Sequence, residues 1–213
     1  MIHFHIITLF PESLECYFNA SILKRAQEDK KVSVSFYNPR DFTKDKHRRV
    51  DHKPYGGGPG MVLEAESILR AVQKAIGRKK DVEVIFFSPS GKQFEQKDAQ
   101  RLAKRKHLVF LCGHYEGIDA RVANILKAKP MSVGPFILTG GELPAALVAD
   151  AVSRNIPGVL GNRASLEDTR VASPDVYTRP EVLKWKGKDY NVPKILLSGH
   201  HKHIEQWKRE QRK

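Results

Sequence analysis

The chain has 213 residues, 40% of them hydrophobic and 29% charged, and its 37 lysines and arginines against 24 aspartates and glutamates give a net charge of +13. At about 150 residues per domain this length predicts one full domain and a smaller unit, and the composition excludes collagen, coiled coil and wholesale disorder. The longest apolar runs are strand-sized and the N-terminal residues lack the basic region and cleavage site of a signal peptide, so a cytoplasmic protein with no membrane segment is expected.

Short apolar runs alternate with stretches of helical period, the pattern of parallel strands joined by crossover helices. In chain order they predict a strand over residues 2–9, a helix over 14–27, a strand over 32–37, a helix over 65–76 and a strand over 84–87. A helix over 96–104, a strand over 108–111, a helix over 120–126 and a strand around 132–138 follow. The next helix runs from Glu142 to about Asn155, with Leu143, Leu147, Ala151 and Val152 at helical spacing. Pro144 is tolerated in its first turn and Pro157-Gly158 ends it. Residues 1–161 therefore read as an α/β domain, a parallel sheet with flanking helices. Residues 162–176 lose the apolar period and read as an interdomain loop. Residues 177–213 form a short, mostly helical C-terminal unit with an amphipathic helix over 203–211.

The positive charge is clustered. Residues 40–53 hold six basic side chains against three acidic ones, and residues 101–106 hold four basic side chains in six. A third cluster, from Lys202 to Lys213, surrounds Trp207, and Trp185 and Tyr190 precede it. Basic residues with interleaved aromatics suit RNA, whose phosphates take the charge while exposed bases stack on rings. None of the clusters has the broad apolar helix face that a membrane surface needs. Cys16 and Cys112 form no Cys-x-x-Cys pair and read as core thiols. His200, His201 and His203 stand in a basic neighbourhood without an acidic or thiol partner, so they read as surface or RNA-contact histidines and no metal site is expected.

Three glycine-containing segments can bring backbone close to a ligand. Tyr55-Gly-Gly-Gly-Pro-Gly60 is the densest, but it is followed by no Gly-Lys-Ser/Thr and does not have dinucleotide-binding spacing. Cys112-Gly-His-Tyr-Glu-Gly-Ile-Asp119 and Ser132-Val-Gly-Pro-Phe-Ile-Leu-Thr-Gly-Gly141 each lie at the end of an expected strand, where open α/β sheets bind ligands.

Pro39-Arg-Asp-Phe-Thr43, Asp51 through Pro54-Tyr-Gly-Gly-Gly-Pro-Gly-Met61, Cys112-Gly-His-Tyr-Glu-Gly-Ile-Asp119, Leu138-Thr-Gly-Gly-Glu-Leu-Pro-Ala145, Asp150-Ala-Val-Ser-Arg-Asn-Ile-Pro-Gly-Val-Leu-Gly161, Tyr177-Thr-Arg-Pro-Glu181 and Leu196-Leu-Ser-Gly199 run collinearly through nearly the whole chain. Together they closely resemble the bacterial tRNA (guanine-N1)-methyltransferase family. The resemblance implies a knotted SPOUT-type α/β domain, one of the few exceptions to the rule against knots. It also implies a homodimer, S-adenosylmethionine as methyl donor, tRNA as substrate, and methylation of N1 of guanosine 37, just 3′ of the anticodon. No other protein partner and no metal are implied. By motif match the cofactor would be held by Phe87, Ser88 and Pro89, by Gly113, Tyr115 and Glu116, and by Ser132, Val133, Gly134, Pro135, Phe136, Ile137, Leu138, Gly140, Gly141 and Pro144. The glycine-rich loop near residues 54–60 would shape the dimeric site and the tRNA contact.

The chemistry constrains the remaining roles. Guanine N1 carries a proton at neutral pH and needs a general base, and as that proton leaves, negative charge builds on O6 and calls for a donor. The resemblance puts Asp168, in the 162–176 loop, in the place of the family's catalytic aspartate, and Arg154 in that of its guanine-contacting arginine. Without it, Asp168 reads as a turn-forming loop carboxylate and Arg154 as a helix-end cap. Pro135-Phe136 stands where the family usually reads Asp-Tyr, which removes a carboxylate and a backbone N–H beside the cofactor. Lys213 follows soon after Leu196-Leu-Ser-Gly199, where the family generally continues, so weaker phosphate contact than the family norm is expected. Two other readings are an RNA-binding protein of the same fold with impaired transfer, and a methyltransferase acting on another RNA. Asp168, Arg154 and Glu116 together favour the enzyme.

Overall fold

The computed structural model describes residues 1–161 and 175–211, and the chain divides into two compact units at Gly161. The first unit is built on β1 (Ile2–Ile7), β2 (Val32–Tyr37), β5 (Val82–Gln93), β6 (His107–Leu111) and β7 (Lys129–Ser132), hydrogen-bonded in the order β2-β1-β6-β5-β7. All the pairings are parallel, with Phe4 opposite Val34 on one side and Leu108 on the other. Two further short strands, β3 (Asp51–His52) and β4 (Val62–Leu63), pair antiparallel and flank the glycine-rich loop.

The helices are α1 (Glu12–Phe18), α2 (Ser21–Glu28), α3 (Ala65–Ile76), α4 (Gln96–Leu102), α5 (Ala120–Leu126) and α6 (Glu142–Arg154). They cover both faces of the sheet, so alternation along a strand sends successive side chains into two different cores. Ile2, Phe4 and Ile6 of β1 join Leu14, Phe18, Leu102, Leu108, Phe110 and Val148 in one. Ile7 and Leu9 join Val109, Leu111, Val122 and the α3 residues Ile68, Ala71, Val72 and Ala75 in the other. The α3 set repeats at three- and four-residue steps, one stripe of a helix. Fully buried side chains of the size of Leu108 or Phe110 each contribute about 2 kcal/mol by removal from water.

The expected α/β architecture with a central parallel sheet is present, and the structure corrects several boundaries. The helix expected over 14–27 is two helices, because Asn19 caps α1 and Ala20 is extended at φ −121°. The strand expected around 132–138 lies earlier and ends at Ser132. There the Ser132 hydroxyl donates to the Gly134 carbonyl at 2.9 Å and accepts from the Gly134 N–H at 3.2 Å, closing a turn in place of further ladder. Strand β5 is longer than expected. Its pairing with β7 shifts between Phe87 and Lys92, so Ser88 to Gly91 bulge out above the sheet. Gly91 permits this, since a Cβ there would lie 2.6 Å from the Pro130 carbonyl carbon. Of the two thiols expected in the core, Cys112 is buried but Cys16 is exposed.

In the second unit, β8 (Val182–Trp185) and β9 (Lys188–Asn191) form a hairpin that the sequence reading missed. Its turn, Lys186-Gly187, has φ of 49° and 74°, the left-handed pair that suits a two-residue hairpin. Helices α7 (Lys194–Leu197) and α8 (His201–Glu210) follow, and α8 half-buries Ile204 and Trp207 while its histidines are exposed. Trp185 and Tyr190, expected to stack on bases, are exposed.

Candidate active site

The carboxyl ends of β5, β6 and β7 open into one cleft of about 220 Å³. Three chain segments build it. The β5 bulge supplies Phe87, Ser88 and Pro89. The turn after β6 supplies Gly113, Tyr115 and Glu116. The turn between β7 and α6 supplies Ser132, Val133, Gly134, Phe136, Ile137, Leu138, Gly140 and Gly141, with Pro144 from the first turn of α6. Every residue that the motifs assigned to the cofactor thus lines this one cleft except Pro135. His114, Gly117 and Thr139, which lie within those motifs without having been assigned to the cofactor, line it too, as do Phe86 and Met131 from outside them.

Glycine is a steric requirement where the second and third turns touch. The Gly141 N–H donates to the Gly113 carbonyl at 3.0 Å, and a Cβ on Gly141 would lie 2.5 Å from Cys112 Cα. Tyr115 is held at φ +57°, an uncommon conformation for a non-glycine residue, and leaves its ring about half exposed at the cleft. The glycine-rich loop reaches the same place. The Glu116 N–H donates to the Met61 carbonyl at 3.0 Å, and the Glu116 side chain lies over Gly60, where a Cβ would be 2.7 Å from its Cγ.

Beneath the cleft a buried polar network joins the ends of β1 and β6 to the start of α6. Glu142, at the start of α6 and 7% exposed, accepts from the Thr8 hydroxyl at 2.6 Å and pairs with His114 Nε2 at 2.8 Å. Thr8 in turn accepts from the Phe10 N–H, and the Phe10 ring packs edge-on against His114 at 4.8 Å. The helix N-terminus adds a favourable field for the carboxylate. Burial, followed by the nearby Glu142 charge, raises the Cys112 thiol well above its ordinary value, which makes it a poor nucleophile despite its position.

Arg154 ends α6, half-buried, on the same helical face as Leu143 and Leu147. Those leucines are exposed, as are Phe136 and Ile137 at the mouth of the cleft, Ile137 to 87%. A neighbouring groove lined by Phe10, Ser13, Leu14 and Leu143 shares His114, Thr139 and Gly140 with the cleft. Asp168 lies outside the described residues. Among the described residues, no histidine, cysteine, aspartate and glutamate cluster could hold a metal, and no helix is long and apolar enough to cross a membrane.

The family model described as tRNA (guanine-1)-methyltransferase TrmD matches residues 2–213 of this chain. The chain belongs to that family. Similar proteins include the tRNA (guanine-N(1)-)-methyltransferase of Dictyoglomus turgidum, 46% identical over 99% of this chain and 85% of the relative. Those of Campylobacter jejuni and Staphylococcus epidermidis are 44% and 46% identical, covering 94% and 97% of this chain and 88% and 84% of the relatives. The resemblance carried by the collinear motifs is confirmed, and membership makes the chain a methyltransferase. Two of the collinear segments, Cys112–Asp119 and Leu138–Ala145, contribute lining residues to the cleft at the carboxyl ends of β5, β6 and β7.

Proposed function

We propose that this enzyme transfers a methyl group from S-adenosylmethionine to N1 of guanosine 37 in tRNA, in the cytoplasm, as a homodimer of knotted SPOUT-type domains. The observation that carries the proposal is the convergence of the β5 bulge with the turns that carry the Cys112–Asp119 and Leu138–Ala145 motifs on one glycine-lined cleft at the carboxyl edge of a parallel sheet. The residues present fit the cofactor. Gly140 and Gly141 let the third turn pack directly onto His114 and Cys112, which brings the cleft-lining backbone of the second and third turns together. Pro89, Ile137, Leu138 and Pro144 offer apolar wall for a purine, and the Glu116 carboxylate favours a cation at the rim. When bound, S-adenosylmethionine supplies an electrophilic methyl group on a sulfonium centre.

The chain's own residues do the rest. Asp168 accepts the N1 proton, which leaves a lone pair on N1 to form the new bond, and Arg154 donates to O6 as negative charge builds there. The second and third turns hold the reacting atoms in line, a positioning task worth several orders of magnitude in rate. Exposed Phe136, Ile137, Leu143 and Leu147 form the apolar surface on which a second copy docks, so that the 162–176 loop of one copy serves the cleft of the other. Residues 177–213 form the tRNA-binding unit, with Trp185 and Tyr190 available for stacking.

The deciding experiment is transfer of labelled methyl from S-adenosylmethionine to an unmodified tRNA transcript carrying G or A at position 37, by the wild type and by Asp168→Ala. Transfer that needs both the guanosine and the aspartate establishes the reaction and its base. Tight RNA binding without transfer at saturating cofactor would reject it in favour of the impaired RNA-binding protein. Leu143→Glu is expected to yield an inactive monomer by sedimentation, and a fully active monomer would remove the dimer from the account.

A further inference from the structure

The cleft occupies the carboxyl edge of the sheet, and the opposite edge has a composition of its own. Of the five strands, all but β1, which only Met1 precedes, are entered from that side by a segment carrying lysine or arginine. Lys31 precedes β2, Arg78 and Lys80 precede β5, Lys104 and Lys106 precede β6, and Lys127 precedes β7. All six are exposed, and none makes an ion pair among the described residues. The acids nearby are largely occupied. Asp81 takes Arg105 at 2.9 Å, and buried Glu83 takes Arg101, Arg105 and Lys129 at 2.8, 3.1 and 3.0 Å, leaving Asp29 as an exposed carboxylate close to Lys31 in sequence. With neighbouring strands about 4.8 Å apart, the unpaired cations are strung across roughly 19 Å.

Three histidines lie at this same edge. His3, His5 and His107 stack at the amino ends of β1 and β6, with ring centroids 4.9 Å apart for His3 and His107 and 5.4 Å for His5 and His107. All three are held below the ordinary histidine value, first by burial and then by positive neighbours, the amino terminus and Lys79 for His3 and the companion imidazoles and Lys79 for the other two. Lowered values keep these imidazoles neutral near pH 7, so the positive charge of this edge is that of its lysines and arginines.

We infer that this amino edge is a second RNA-contact surface, one that grips the phosphate backbone of the substrate RNA at a point remote from the methylated base. The inference rests on the RNA-substrate reading above. The chemistry favours RNA over a membrane, because these turns carry charge without an apolar face to insert. It also favours RNA over an acidic protein, because five lysines and one arginine spread over separate turns lack the clustered aromatic anchors of a protein hot spot, whereas a polyphosphate chain rewards diffuse charge. A six-residue strand separates this edge from the cleft by about 20 Å, so an RNA that ends at its anticodon loop reaches only the cleft.

The test is the quadruple variant Lys31→Gln, Arg78→Gln, Lys80→Gln, Lys104→Gln, with its fold checked by thermal melting. Binding and methyl transfer are measured with a full-length tRNA transcript and with an isolated anticodon stem-loop. For the full-length transcript, the slope of log K against log salt should become shallower by about 3, and KM should rise roughly tenfold with kcat unchanged. The stem-loop should show neither change. An unchanged slope and KM on the full-length transcript would overturn the inference, as would equal losses on both RNAs. Binding of the wild type to vesicles of anionic phospholipid, lost in the variant while RNA binding is kept, would assign the edge to a membrane and overturn it as well. Should neither RNA be methylated while the salt slope for the transcript still falls, the substrate reading fails and the RNA-contact edge stands. Lys104→Glu alone, a charge reversal on an exposed turn, should move the slope in the same direction by about 1 to 2.

Discussion

Glu83 and Glu142 are buried carboxylates at opposite ends of one parallel sheet, 5% and 7% exposed, and they are held in different ways. Glu83, at the amino edge, is ringed by Arg101, Arg105 and Lys129, whose side chains are themselves 41%, 42% and 57% exposed. Burial alone would raise its carboxyl, but the bonds from Lys129 and Arg101 outweigh that and hold it below the ordinary glutamate value. Glu142, at the carboxyl edge, has Thr8 and His114 as bonding partners, both themselves largely buried, and a helix N-terminus behind it. The difference teaches what each end of the sheet is for. The amino edge carries charge that water can reach and that salt can screen. The carboxyl edge uses a buried, directional network to fix the relative positions of three turns, which is what a cleft for in-line chemistry requires.

Four measurements break or sharpen this contrast. The largest effect belongs to the amino edge. His5 is held at about 4 in the fold against an ordinary value of 6.5, so the unfolded chain binds more protons between those values. The stability of its neutral form is present above pH 6.5 and is lost as pH falls toward 4, by about 3 kcal/mol at most. Denaturant midpoints should fall accordingly between pH 7 and 4.5, and His5→Leu should remove most of that slope. An unchanged acid slope in the variant would mean that the histidine stack is not the sensor.

At the carboxyl edge, Gly141→Ala forces a Cβ to within 2.5 Å of Cys112 Cα, so the third turn must move off the second. S-adenosylmethionine affinity by calorimetry should fall about 100-fold, equivalent to about 2.7 kcal/mol. Native affinity in this variant would show that the two turns need not touch. Glu142→Ala leaves the Thr8 hydroxyl and His114 without their buried partner, at a cost of about 2 kcal/mol in folding stability and with a matching loss of cofactor affinity. Glu142→Gln can still accept from Thr8 and pair with His114, and should recover most of both. The smallest effect is expected at Glu83→Gln. Its exposed cations rehydrate, so the loss should be about 1 kcal/mol and should shrink in high salt. A loss at Glu83 as large and as salt-independent as that at Glu142 would erase the distinction between the two ends.

Local pattern carried most of the fold. Helices α3 and α5 have the bounds that their apolar spacing predicts, and so does β2, because each is encoded by contacts a few residues apart. The errors fall where a local competitor wins. Asn19 and Ala20 interrupt a helical period that continues on both sides, and the Ser132 side chain substitutes for the next rung of β7. Most of the cleft was legible too, because its walls are glycine turns with their own signature. Thr8, His114 and Glu142 were not, since Thr8 and Glu142 are 134 residues apart and each alone is an ordinary polar residue at a strand or helix end. The basic edge escaped for the same reason. Its lysines belong to separate turns, and only the cluster over residues 101–106 stood out in the sequence.

The sequence by itself determined the periods of its strands and helices, the turns that glycine permits, a large positive charge and membership of a methyltransferase family. These are properties of neighbouring residues or of whole motifs, and they survive without knowing which strand lies beside which. The tertiary structure decided the rest through the order β2-β1-β6-β5-β7. That order sets β6 between β1 and β5, which brings His107 onto His3 and His5 at one end and the three cleft turns together at the other. Hydrogen bonds and steric contacts act over a few ångströms. Chain segments a hundred residues apart can therefore share a site only after the sheet has made them neighbours.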